Sequence, residues 1–348
     1  MSRFLRASFI AVVAFSLAAC AESAPPAASP TPDASGPAVP TPTATAATVA
    51  SPTLPGDGEC SSVLTDAQLD EMLGEGWMTY DEQLTTWDAD RLLLPRVSSA
   101  GTVGGWACDW VADQAVGAGS PQSLGVLVLP AQAAPAAADD FVEARCDPAY
   151  DAVNCRLAKS DGGVWIMARA GYQYEEPPVE FLESVIDSVV ESLDDASAWR
   201  GLDETAEWWG APSCDALAEK MRLEEIIGEG FGAGYWEGSE QPEQAILAGA
   251  GVEFTCPWFT GSTLPPDGEH YIVSAVIMPG GAWKWSAIAA MKGAESISVP
   301  GATEALAFER GKDATHVYVT DGVNLLEIGG APSDVLSSIA QRALTALE

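Results

Sequence analysis

The sequence predicts an α+β protein built from two tandem related domains, each a mostly antiparallel sheet with packed helices. Three observations carry this reading. Leu69–Trp77 (LDEMLGEGW) matches Leu223–Phe231 (LEEIIGEGF) without a gap. Each half then has an aromatic–x–Cys–x–Trp segment, Trp106–Trp110 and Phe254–Trp258. Each half later has an Asp-Gly turn between apolar runs, at Asp161-Gly162 and Asp321-Gly322, followed by an amphipathic helix pattern.

Before the repeats come two segments of different character. Residues 1–19 begin with Arg3 and Arg6, continue as a short apolar run and end in small residues, which is the layout of a secretory signal. The run falls short of the roughly 20 apolar residues that a membrane-spanning helix requires. Leu17-Ala18-Ala19-Cys20 resembles the bacterial lipoprotein signal, and that resemblance implies Cys20 as the lipidated first residue of the mature chain. Residues 20–57 are Ala, Pro, Ser, Thr and Gly with few charges, so they predict a disordered tether that reaches up to ~110 Å at about 3.1 Å per residue. The expected location is the outer face of the bacterial cytoplasmic membrane. The membrane is then a partner through the lipid, at about 0.8 kcal/mol for each buried CH₂.

The first domain is expected over 58–198, a joint over 199–212 and the second domain over 213–348. In each domain a short helix follows the first Cys. Thr65 with Gln68 forms a capping box in the first copy, and Gly74 and Gly228 end the helix. The Cys-x-Trp strand comes next, then a strand over Ser123–Leu129 or Tyr271–Met278. A middle helix is expected around Ala133–Ala144 or Ala282–Lys292. The hairpin pairs Cys155–Ala158 with Val164–Ala170 in one copy and His316–Thr320 with Val323–Ile328 in the other. On the last helix Phe181, Leu182, Val185, Ile186, Val189 and Leu193 share one face; the second copy uses Val335, Leu336, Ile339, Ala343 and Leu347.

Seven cysteines less the lipidated one leave six, an even number that reads as a disulfide framework in an exported protein. The repeat selects the pairing. Cys60 joins Cys108 and Cys214 joins Cys256, each tying a first helix to a central strand, and Cys146 and Cys155 close a short loop. Metal binding through these thiols is not expected, because the compartment oxidises them and only His270 and His316 accompany them.

The Cys…helix…Leu-Gly…Cys-x-Trp arrangement, behind a lipobox and a Pro/Thr tail, resembles the DUF3558-type lipoproteins of actinobacteria and the related sensor domains of some receptor kinases. The resemblance rests on Cys60, Leu64, Leu73, Gly74, Cys108 and Trp110, and on Cys214, Leu217, Ile227, Gly228, Cys256 and Trp258. It implies a surface-exposed ligand-binding or sensory domain without catalysis.

The formal charge is −34 and becomes −36 once Arg3 and Arg6 leave with the signal (14 basic against 50 acidic residues), which argues against nucleic-acid binding. No nucleophile elbow, zinc-protease helix or phosphate loop is present, so neither an enzyme nor a cofactor is expected. Glu75 and Glu229 recur at equivalent positions and would suit the acid/base pair of a carboxylate-based envelope hydrolase, the alternative reading, yet a Gly-Glu-Gly cap turn explains both as exposed residues. Twelve tryptophans are many for 348 residues. Trp77, Tyr80 and Trp87 in the first variable loop, Trp208 and Trp209 in the joint, and Tyr235 and Trp236 in the second loop are the candidate binding residues. They line an aromatic cleft for an envelope ligand or partner protein, or they pack the two domains together.

Overall fold

The first half starts its sheet and covering helix for reasons that are local. Helix α1 (Asp66–Leu73) starts on the capping box of Thr65 and Gln68 and stops at Gly74, whose φ of 82° suits glycine. Strand β1 (Met78–Thr79) pairs with β2 (Trp106–Val111), the Cys-x-Trp strand. Strands β3 (Pro121–Pro130), β4 (Arg145–Ala149), β5 (Ala152–Asp161) and β6 (Val164–Gln173) follow, and helix α2 (Val179–Ser192) closes the half. The second half repeats the plan. Helices α3 (Cys214–Met221) and α4 (Glu224–Ile227) precede β7 (Phe231–Ala233), α5 (Pro242–Gly249), β8 (Phe254–Thr260) and β9 (Val273–Met278). Then come α6 (Trp285–Ala289), β10 (Glu295–Ser296), β11 (Glu304–Arg310), β12 (Ala314–Thr320), β13 (Leu325–Ala331) and α7 (Ser333–Leu347).

These elements belong to a computed structural model that describes residues 50–54, 58–80, 82–83, 99–113, 120–149, 152–173, 175–193, 199–210, 212–234, 241–260, 273–310 and 314–348. The signal, Cys20, most of the tether, Trp87, Tyr235, Trp236 and His270 lie outside the described residues. Among the described residues no helix is long and apolar enough to cross a membrane.

The fold is α+β with two antiparallel sheets, ordered β1-β2-β3-β6-β5-β4 and β10-β11-β12-β13-β9-β8-β7. Read from the other edge, the second order matches the six strands of the first, with β11 in the place of β4, and adds β10 beyond it. The register agrees as well. Cys108 faces Val126, which faces Ala168 and then Leu157; Cys256 faces Ala275, which faces Ile328 and then Val317. The disulfides are Cys60–Cys108, Cys146–Cys155 and Cys214–Cys256. On one face of the first sheet Trp106, Cys108, Trp110, Leu124, Val126, Ile166 and Ala168 pack beneath Leu69, Leu73, Leu182, Val185, Ile186 and Val189. The second sheet does the same with Trp258, Ala275, Ile277, Leu326 and Ile328 beneath Leu217, Leu336, Ile339 and Ala343.

Three features depart from the sequence reading. The middle helix of the first half is two short 3-10 turns, Ala131–Ala133 and Ala136–Phe141, because Pro130 and Pro135 interrupt any continuous α-helix. In the second half it is a 3-10 turn over Gly281–Lys284 running into the five-residue α6. The tether is anchored before residue 57: Thr53 N–H donates to the Arg200 carbonyl at 2.8 Å, and Arg200 N–H returns the bond at 3.0 Å.

A further observation concerns how the two halves meet. Residues Thr48–Glu348 form one compact unit. Helix α5 belongs to the second half in sequence but packs on the outer face of the first sheet. There Ile246, Leu247 and Val252 join Leu127, Leu129, Ala158, Trp165 and Met167 in one buried cluster with Phe141. The joint is stitched to both halves. Leu202 N–H donates to Thr102 O at 2.8 Å. At the far end, buried Asn324 accepts from Trp209 N–H and Gly280 N–H at 3.1 Å each and donates to Glu207 O at 2.8 Å.

Candidate functional site

The candidate residues from sequence fall into separate places. Trp77 is half-buried against the first core and its indole N–H donates to Asp70 Oδ1 at 3.0 Å. Tyr80 follows β1, half-buried, near enough to Arg169 to act on its charge. Trp208 lies across Gly280 so closely that a Cβ there would sit 2.4 Å from the ring, and only glycine fits. Trp209 is 6% exposed and belongs to the second core, so its aromatic face is not available to a ligand. The described pair in the joint therefore packs: one buried and one half-buried indole fasten the linker to the second half. Glu75 and Glu229 are both exposed in their glycine turns.

The chemistry that the structure gathers is elsewhere, on the outer faces of the sheets. In the first sheet one row of residues runs across four strands: Asp109 opposite Gly125, Gly125 opposite Arg169, and Arg169 opposite Arg156. Gly125 makes the row workable. A Cβ there would lie 2.6 Å from Asp109 Oδ1 and 3.0 Å from Arg169 Nε, so its absence lets that ion pair close over the backbone. Helix α5 completes the cluster with Glu243. Arg156 Nε donates to Glu243 Oε1 at 3.0 Å and Nη2 to Oε2 at 3.3 Å, a two-pronged contact; Nη1 reaches Asp147 Oδ2 at 3.3 Å. Arg169 Nε stands 3.7 Å from the same carboxylate. Burial works to raise the Glu243 carboxyl, but the Arg169 and Arg156 guanidiniums outweigh it and hold the group below its ordinary range.

The second sheet replaces this row with Pro257, Ser274, Gly329 and His316 in the matching register. His316 Nδ1 lies 2.9 Å from Glu327 Oε1, and its ring rests on Gly329, where a Cβ would approach it to 3.0 Å. Glu327 also takes a hydrogen bond from Tyr318, whose hydroxyl is pushed well above the ordinary phenol range by burial, then by that carboxylate. Lys284, only 2% exposed, sits between the halves. Burial lowers its pKa to about 8, against the opposing pull of Glu253 and Glu327. Its Nζ is 3.6 Å from the Met278 sulfur and 5.8 Å from the Trp283 ring centre. Glu253 accepts from Ser99 and Trp283 Nε1 donates to Thr102 at 3.0 Å, so both neighbours of Lys284 are tied to the first half.

The imidazole–carboxylate pair has the geometry that orients a general base. Among the described residues, however, no hydroxyl or thiol hydrogen-bonds to the His316 ring. Among the described residues no group of three or more His, Cys, Asp or Glu is placed to hold a metal ion. The charged groups act across the seam, fastening one half to the other. Sequence reasoning missed Arg156, Arg169, Glu243, Lys284 and Asn324. The one local signal was Gly125 inside an otherwise apolar strand, which marks a close approach.

No family model matches the chain, and no curated protein matches it. Among solved structures, the di-domain ARO/CYC StfQ from the steffimycin biosynthetic pathway is similar over 70% of this chain and 82% of its own, at 11% identity and a TM-score of 0.15. The di-domain ARO/CYC BexL from the BE-7585A biosynthetic pathway follows over 69% and 83%, at 6% identity and a TM-score of 0.12. At these scores neither likeness bears on fold or function.

Proposed function

We propose that this chain is a lipid-anchored cell-surface protein, a non-catalytic ligand-binding or sensory module of the bacterial envelope. The observation that carries the reading is the lipobox at Leu17–Cys20 followed by a Pro/Ala/Thr tail, whose far end is held at Thr53 against Arg200 in the joint. A lipid on Cys20 would thus hold both halves by the segment that links them. At about 3.1 Å per residue the intervening chain spans roughly 100 Å when extended. The exposed turn positions of Glu75 and Glu229 favour binding over acid/base hydrolysis. The resemblance to DUF3558-type lipoproteins belongs to this proposal: Cys60–Cys108 with Trp110, and Cys214–Cys256 with Trp258, recur at equivalent places.

One observation favours a second reading, an accessory protein that acts through a protein partner. Trp208 and Trp209 are used for packing, which removes them from a cleft for a small ligand. Two measurements test these readings. Cys20→Ala should move the protein from the membrane to the soluble fraction; continued membrane association would sink the anchor. A thermal-shift screen of the Thr48–Glu348 unit against wall glycans and envelope lipids should give a saturable rise, about 2.7 kcal/mol at a hundred times Kd. A flat response across the library would favour the protein-partner reading.

A further inference from the structure

The two sheets end differently. A sheet edge with free N–H and C=O groups invites another strand, and proteins blunt such edges by keeping them short or covered. Among the described residues three of the four sheet edges follow that rule: β1 and β10 have two residues each and β7 has three. The fourth edge is β4, five residues long and paired with β5 only. Its counterpart in the second half, β11, is shielded by β10, with Glu295 opposite Ala307 and Ser296 opposite Leu306. The same edge is therefore covered in one half and open in the other.

Backbone geometry decides which groups this edge offers. Opposed residues in an antiparallel ladder alternate between hydrogen-bonded pairs, with Cα atoms about 5.5 Å apart, and non-hydrogen-bonded pairs at about 4.5 Å. Cys146 and Cys155 stand opposite each other with Cα atoms 4.0 Å apart, so theirs is a non-hydrogen-bonded pair. Cys146 therefore turns its N–H and C=O away from β5, towards the open side. Its neighbours Arg145 and Asp147 bond to β5 and place their side chains on the outer face, as their ladder partners Arg156 and Asn154 do. Both keep most of their surface in solvent. Arg145 is 56% exposed although it reaches Asp140 and the Phe141 ring, and Asp147 is 67% exposed although it meets Arg156. Pro148 has no N–H, so a ladder on this edge stops there. Just before the strand lies Val142, the most exposed large apolar side chain among the described residues, at 65%.

We propose that β4 pairs with β4 of a second copy of this chain, antiparallel and centred on Cys146, so that one sheet runs through two molecules. A two-fold axis at Cys146 lets each Cys146 N–H donate to the other copy's Cys146 carbonyl. It also sets Arg145 opposite the partner's Asp147, and Asp147 opposite the partner's Arg145, on one face, so unlike charges meet twice. Other registers fail. Centred on Arg145 or on Asp147, the ladder sets like charges opposite each other. Centred on Pro148 it lacks its donors, and centred on Ala144 it needs residues 142 and 143, which form a bend. The contact uses the same patch on both copies and closes at two. Five residues a side fall short of a standard interface, so the dimer is weak, with a Kd on the order of 100 μM. Val142 lies beside the contact and gains cover from it. The pairing does not rest on the lipid anchor.

The test is sedimentation equilibrium on residues 21–348, which keep the whole Thr48–Glu348 unit and lack Cys20 as a source of cross-links. Salt of about 0.15 M screens the net negative charge of the two copies while leaving charges in contact. The parent should show a monomer–dimer equilibrium. Arg145→Asp alone and Asp147→Lys alone set like charges opposite each other, and each should weaken the dimer about tenfold. Mixed in equal amounts, the two variants should regain the parent's affinity, because an acidic edge then faces a basic one. Both should keep the parent's near-ultraviolet circular dichroism. Hydrogen exchange on the parent gives an answer that needs no variant. The Cys146 amide should gain about fivefold protection at ten times Kd, while the Arg145 and Asp147 amides stay protected at every concentration. A monomer up to about 1 mM, ten times the expected Kd, would overturn the pairing. So would a dimer that both variants leave intact, a mixture no tighter than its components, or a Cys146 amide indifferent to concentration.

Discussion

Glu243 shows how much a single side chain can decide here. It stands a quarter exposed between two guanidiniums, one of them almost wholly buried. Removing one partner of such a cluster leaves charge without compensation, so Glu243→Gln should destabilise the protein by about 3 kcal/mol in a denaturant titration at pH 7. The pH dependence follows from the direction of its shift. A carboxyl held below its ordinary value of 4.5 contributes stability above that value and loses it as pH falls through the lower, folded-state pKa. The melting temperature of the parent should therefore fall steeply below pH 4.5, and Glu243→Gln should flatten that limb. Lys284 works in the opposite sense. Its depressed pKa of about 8 means that the unfolded chain binds the proton more readily, so stability should rise between pH 8 and 10.5. Lys284→Met should abolish that rise. None of these roles was legible in the sequence. A basic residue in a strand reads as solvated until the element that buries it is known.

At the scale of elements, the pieces governed by local rules agree with expectation and the others do not. The capping box at Thr65, the glycine stops and the two terminal helices follow from spacing alone. The hairpins form around Asp161-Gly162 and Asp321-Gly322 but with longer strands, since the sheet extends any backbone it can pair. Helix α5 carries Pro242 at its start and a capping box from Gln241 and Gln244, yet its eight residues are too few for a periodic apolar stripe to stand out. Its importance lies in what it covers. Ile246→Ala should cost about 3 kcal/mol, the usual loss for a fully buried aliphatic side chain, and should raise hydrogen exchange in β6 as the cover weakens. Gly125→Ala tests the charged row. The new Cβ falls on Asp109 and Arg169, so the substitution should destabilise by at least as much as removing that ion pair, although alanine is the smallest possible change. An Asp109→Asn background, in which the pair is already weakened, should shrink the penalty.

For the whole molecule the question is how far two repeated halves remain two domains. Each has its own sheet, disulfide and helical cover, which is what tandem domains require. The seam ties them in several ways: α5 on the first sheet, Asn324 holding the joint, Trp283 on Thr102, and Glu253 on Ser99. The Thr48–Glu348 unit should therefore unfold in one calorimetric transition, with equal van't Hoff and calorimetric enthalpies. Two resolved transitions would mean that the seam is weak and the halves fold independently. A fragment ending at 212 should expose Leu127, Leu129, Trp165 and Met167 and bind a hydrophobic dye, because their cover comes from 246, 247 and 252. What the sequence by itself determined is the duplication, the antiparallel α+β plan and the disulfide pairing, since each depends on order and spacing, and a repeat states those twice. What only the tertiary structure decided is which surface each half leaves for the other to cover. Burial of α5 and Arg156 and the tie of Trp283 to Thr102 depend on residues up to 181 positions apart, and no local pattern carries contacts at that range.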